Sequence, residues 1–401
     1  MWSAFQHAKH ATCGFIHRHK KLLIATTIGT ACAGTAFYAY KRIQSEAERF
    51  NQQIQMQMAE HQRLQLALNS TVDESRAMVK RFLPRLKSRL YQLLDLESVV
   101  QELKMLDKTQ KKRRNALWED AKLLAFTRYM TSLIAFGLWH MLVFAQVSII
   151  GKRMFEKNLK MEVSERQKQR EEAEEQAHHA FLTSGLEYFL DEALERIKNH
   201  VETIVKENKE LQAWKVSQKA AVTTNELNEV LQTLFLDILP STVAVAAAEK
   251  HEDSAELRKW RGFLVYPEKL QGQDENLISL LNDLWDLLES NLFLPALQHS
   301  LGFLCGNAFQ DLDDVVYGPR NSEPQDVENH DAKPEKPAPP LAKLIPCLQA
   351  EMNKLLLSSG PDSYAAKYSQ EVGEIETFRS FYEAIFFEQS AKHQYMGSTL
   401  I

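Results

Sequence analysis

No proline occurs between Pro84 and Pro240, and inside that interval glycine stands only at Gly137, Gly151 and Gly185. Without such breakers the chain is not cut into many short elements, and its Leu, Glu, Lys, Gln and Ala content suits helices. Period-two alternation of apolar and polar residues is also missing, which excludes half-buried strands there. Cysteine is scarce: Cys13, Cys32, Cys305 and Cys347 lie far apart in no CxxC pair. They supply neither a disulfide framework nor zinc spacing, so a reducing compartment is the default. Positive charge is not in excess. The formal net charge is -5, which argues against a nucleic-acid partner. Missing as well are G-x-S-x-G, the P-loop, H-E-x-x-H and G-x-G-x-x-G. No catalytic residues, metal, cofactor or small-molecule substrate are therefore expected.

What the chain has is apolar material. Hydrophobic residues make up 44% of its 401 positions, ample for a large core, and the expected fold class is all-α. From Tyr129 to Ile150 there is no Asp, Glu, Lys or Arg, and only His140 titrates near neutral pH. At a rise of about 1.5 Å per residue this stretch is long enough to cross a bilayer core of about 30 Å. A helix at the middle of a large bundle, apolar on all sides, reads the same way. Hydropathy alone favours a second membrane span. Thr131, Ser132, His140, Gln146 and Ser148 weaken that preference, since a buried polar group needs partners.

Residues 22–40 hold no charge and lie between Arg18, Lys20 and Lys21 on one side and Lys41 and Arg42 on the other. They read as a single transmembrane anchor in the lipid bilayer. The run is longer than a secretory h-region and ends in Tyr-Lys-Arg instead of a cleavage site. The flanking charges are too evenly matched to set orientation. His10, Cys13, His17 and His19 read as a membrane-flanking segment, with nothing to fix a metal geometry.

The rest is punctuated by its caps and breakers. Residues 1–21 form a basic flank, and 43–70 a polar, Gln-rich helical stalk. Thr71 with Glu74 makes a capping box that predicts a helix start, and Pro84 predicts a kink or break in the helix that follows. Lys108 to Arg114 reads as a solvated basic loop. Residues 156–180 read as an exposed helix or connector. Thr224 is the expected N-cap of a helix that Pro240 ends. Residues 71–317 and 341–390 make up one helical domain. It is interrupted at 318–340, which holds six of the twelve prolines and reads as disordered. Residues 391–401 read as a flexible tail, and its end, STLI, is not the matrix address SKL.

The segment LWEDAKLLAFTR, Leu117 to Arg128, resembles the most recognisable segment of the peroxin-3 family. The similarity runs on through Gln146, Val147, Ile149, Ile150 and Gly151. It extends to the basic flank and anchor at 17–42, to Phe181–Ser184, and to PLAKLIP at Pro340–Pro346. The resemblance implies a peroxisomal membrane protein with one amino-terminal span and a cytosolic helical domain. It implies that this domain docks peroxin-19, the receptor that delivers new peroxisomal membrane proteins, by taking its amphipathic helix into an apolar groove. The family's groove tryptophan falls on Trp118, and its groove leucine and lysine on Leu103 and Lys104. The resemblance also makes Tyr129–Ile150 a buried helix.

The residues suit that role. A groove for an amphipathic helix needs exposed apolar anchors with charges at the rim, and tryptophan is the commonest hot spot. Trp118 has Glu119, Asp120 and Lys122 beside it, and Ala121 and Ala125 would leave a shallow floor. The expected groove is thus Trp118, Leu103, Lys104, Ala121, Lys122 and Ala125. From the residues alone, a two-span membrane protein acting as a tether or channel component stays open.

Overall fold

A computed structural model describes residues 20–107, 109–159, 165–241, 254–265, 274–318, 338–360 and 363–397. Side chains at 20–41, 43–47, 51, 53, 158–159, 165–171 and 388–397 fall outside that description. Among the described residues every regular element is a helix. In chain order they are α1 (Lys20–Leu93), α2 (Leu96–Met105), α3 (Lys111–Leu159), α4 (Glu165–Tyr188), α5 (Leu194–Glu207), α6 (Lys209–Ala213) and α7 (Thr224–Ile238). Then come α8 (Ala255–Arg261), α9 (Glu275–Glu289), α10 (Phe293–Tyr317), α11 (Leu341–Leu355), α12 (Tyr364–Glu374) and α13 (Glu376–Gly397). A π-helical turn, Phe189–Ala193, joins α4 to α5.

The chain divides into two units, residues 1–66 and 67–401. In the first, residues 22–40 are helical within α1. Arg42 is exposed, while Arg18 and the His10–His19 cluster lie outside the described residues, as do the side chains of Lys20, Lys21 and Lys41. Most of 318–340, the segment read as disordered, also lies outside them.

The second unit is organised around α3, which packs against α2, α4, α5, α9, α10, α11 and α13. Every side chain from Ala125 to Ile149 is buried. The apolar run is therefore enclosed by protein, as a core helix must be if each large side chain is to gain its about 1.5–3 kcal/mol of burial. Gln146 and His140 find partners on neighbouring helices, while Ser132 donates to the Arg128 carbonyl of α3 itself at 2.7 Å. Gln146 donates to the Phe181 carbonyl at 2.8 Å. Burial pushes the His140 imidazole down to about 4, and the neutral ring donates through Nδ1 to the Phe136 carbonyl at 2.9 Å. Its Nε2 accepts from the Ser369 hydroxyl of α12 at 2.7 Å.

The three glycines of the proline-free interval mark close helix approaches. A Cβ at Gly151 would stand 2.4 Å from Thr71 Oγ1. At Gly185 it would stand 2.2 Å from Gln146 Nε2, and at Gly137 2.4 Å from Leu301 Cδ2.

Local signals were overruled in four places. Thr71 begins no helix: α1 runs through it, and its hydroxyl bonds back to the Ala67 carbonyl at 2.8 Å. Pro84 does not break α1, because it sits on the exposed side, where water can satisfy the freed carbonyl. The N-cap of α7 is Thr223, one residue earlier than expected, where Glu226 completes a capping box. Lys111 to Arg114 are not loop but the first turn of α3.

Candidate functional site

The site forms where α3 emerges from its neighbours. Asp95 caps α2, accepting from the Ser98 amide at 3.0 Å, and α2 buries Leu96 and Leu103. Two arginines of α3 hold α2 in place. Arg128 Nη1 donates to both Glu97 carboxylate oxygens, at 2.9 and 2.7 Å, with its guanidinium 3.6 Å from the centre of the Tyr91 ring. Gln349 of α11 donates to the same Glu97 at 2.8 Å. In the first turn of α3, Arg113 pairs with Glu102 at 2.5 Å.

On another side α3 holds residues 211–216. Lys122 Nζ donates to the Leu211 and Trp214 carbonyls, at 2.8 and 2.6 Å, and to Glu119 Oε2 at 2.8 Å. Glu119 Oε1 accepts from the Val216 amide at 2.8 Å. Phe126 meets the Trp214 ring edge-on at 6.5 Å between centroids.

Helix periodicity turns these contacts into a direction. At about 100° per residue, Arg113 and Arg128 mark the side of α3 turned to α2, and Glu119, Lys122 and Phe126 the side turned to 211–216. Trp118 lies between them. Farther along the same face Ala121, Ala125 and Tyr129 are 0, 2 and 2% exposed. Trp118 itself is half-buried, and beyond it on the same face come half-buried Arg114 and exposed Lys111. The result is a half-buried Trp118 between two anchored neighbours, with Arg114 and Lys111 beyond it on the same face.

The expected groove residues fare differently. Trp118 is partly accessible, Lys104 is exposed, and Leu103 keeps 7% exposure. Lys122 is a correction: at 1% exposure, with three partners, it fastens one wall and has no surface to offer a ligand. Ala121 and Ala125 are also buried and offer no accessible floor. The sequence reading missed Met105, 80% exposed at the end of α2, and the whole 211–216 wall. Met105 was legible as an apolar residue beside Lys104. The wall was not, because only tertiary contacts bring it to α3. Among the described residues no His, Cys, Asp and Glu group is arranged to hold a metal.

No curated protein matches the chain. The Peroxin-3 family model matches residues 104–386, from the end of α2 through all of α3 and into α13. Because that span is most of the chain, the protein belongs to the peroxin-3 family, whose members are peroxisomal membrane proteins of peroxisome biogenesis.

Proposed function

We propose that this chain docks peroxin-19 carrying newly made peroxisomal membrane proteins, and that an amphipathic helix of that receptor lies in the gap opening at Trp118. Residues 22–40 hold the chain in the peroxisomal membrane as a single span, 43–70 form a stalk, and the bulk of the chain faces the cytosol. The observation that carries the reading is the half-buried Trp118 on a face of α3 flanked by two anchored walls. A large ring at the base of a desolvating gap is the commonest form of interface hot spot. In this reading Leu103 contributes from α2 and Lys104, which is exposed, supplies a rim charge.

Trp118→Ala in the full chain, reconstituted in nanodiscs, is expected to weaken peroxin-19 binding by about thirtyfold or more, the effect of losing about 2 kcal/mol. Circular dichroism and membrane insertion should not change. An affinity within about twofold of wild type would remove Trp118 from the site and the groove with it.

A further inference from the structure

The stretch of α1 that belongs to the first unit presents apolar side chains to solvent. Phe50 and Met58 are each 62% exposed, Gln57 and His61 are exposed, and Ile54 and Leu64 are half-buried. Their spacing is not the 3.6-residue period of a helix laid on a globular core. Ile43, Ala47, Phe50, Ile54, Gln57, His61 and Leu64 follow one another at alternating steps of four and three. The alternation continues back through Tyr40, Ala36, Ala33 and Gly29 of the expected anchor, all within one uninterrupted helix. A repeat of 3.5 keeps facing the same way only when another helix coils about it. The next position of the repeat, Leu68, falls in the second unit and is 2% exposed, covered by the chain itself.

Resting on the single membrane span proposed above, we infer that the seam from Gly29 to Leu64 pairs with the same seam of a second copy, two α1 helices lying parallel through anchor and stalk. Charge selects this occupant. No Asp, Glu, Lys or Arg falls on the seam; Glu46 and Glu60 lie along one edge, Asn51 and Gln65 along the other. In a parallel pair each edge meets the opposite edge of its partner about five residues on, which sets Glu46 against Asn51 of the second copy and Glu60 against Gln65 of the second copy. Side-chain amides donate to carboxylates, so neither edge is repelled. An antiparallel pair would set the glutamate edge against itself. Two copies anchored in one bilayer by the same segment emerge parallel and in register, so edge charges and anchor demand one orientation. Within the anchor, Gly29, Ala33 and Ala36 are small enough for two backbones to approach. Lipid does not suffice as the occupant. Leu64 lies about 36 Å along the helix from Tyr40 at a rise of about 1.5 Å per residue, farther than headgroups extend. Gln57 and His61 are the polar members of the seam, and polar groups at such positions fix register at a cost in stability.

The test is energy transfer between donor-labelled and acceptor-labelled full-length copies mixed in liposomes of neutral lipid, followed as the protein is diluted with lipid. Carbonate extraction reports insertion of each variant, and circular dichroism should be the same for all. Wild-type transfer should exceed random encounter and be competed away by unlabelled chain. Phe50→Glu/Ile54→Glu puts charge into two layers of the seam and should weaken self-association by about tenfold or more. Met56→Glu alters a side chain that is 71% exposed but lies off the seam, and should leave self-association within about twofold. Gln57→Leu/His61→Leu should strengthen it by about tenfold, because apolar layers replace polar ones.

Transfer no greater than random encounter for an inserted wild-type chain overturns the inference and leaves the anchor standing. Loss of the chain to the carbonate wash removes the anchor, and the parallel pair goes with it. Transfer that survives Phe50→Glu/Ile54→Glu, or that Met56→Glu reduces as much, would mean that copies meet through some other surface, and the seam assignment is overturned.

Discussion

Lys122 and Lys104 lie eighteen positions apart in helices that pack on each other, each between two apolar chain neighbours, and nothing local tells them apart. The fold gives them opposite work. Lys122 is buried, its ammonium closing two main-chain carbonyls and the Glu119 carboxylate, whereas Lys104 faces solvent. Lys122→Met strands all three acceptors, and breaking a buried charge pair costs roughly 3 kcal/mol. Lys104→Met is an exposed change worth within about 0.5 kcal/mol. Urea denaturation of the two variants checks this, and equal midpoints would mean that the 211–216 wall does not depend on Lys122. Trp118 differs again. It is partly exposed, and the side of α3 it occupies follows from which residues of α3 are tied to which wall.

At the scale of helices, glycine's effect depends on what faces it. Gly185 lies against the Gln146 amide, which is committed to the Phe181 carbonyl, so the side chain cannot move aside without giving up that bond. Gly185→Ala is expected to destabilise by about 2 kcal/mol through overpacking, despite alanine's better helix propensity. On α10, nothing lies within 4 Å of a Cβ built at Gly302 or Gly306. There the same substitution should stabilise by up to about 1 kcal/mol each. Calorimetric midpoints moving in the same direction for the two helices would contradict this. The scarcity of glycine was legible in the sequence, but its reason was not: all three residues in the proline-free interval sit where another helix comes close. The π-helical turn shows the same dependence on context. It falls where Phe189 packs against Trp139, with ring centroids 5.3 Å apart and the planes tilted by 59°, and Arg89 donates to the Leu190 carbonyl at 3.3 Å. No propensity of Phe189–Ala193 announces it.

Across the whole molecule, the stretch from Tyr129 to Ile150 is shielded by its own neighbours, so removing residues 1–42 should leave a protein that stays soluble without detergent. Carbonate extraction checks this. A fragment 43–401 that still partitions with the membrane would mean that the core helix is handled as a span. Composition, scarce breakers and periodicity determined that the chain is helical, that it holds a long apolar helix, and where most later helices run. The resemblance around Leu117–Arg128 determined the family. Only the tertiary structure decided that α3 is enclosed, because hydropathy measures a segment's aversion to water and is silent on what covers it. It also decided that Lys122, Ala121 and Ala125 are interior while Trp118 stays open, since accessibility belongs to the walls around a residue and those walls come from distant parts of the chain.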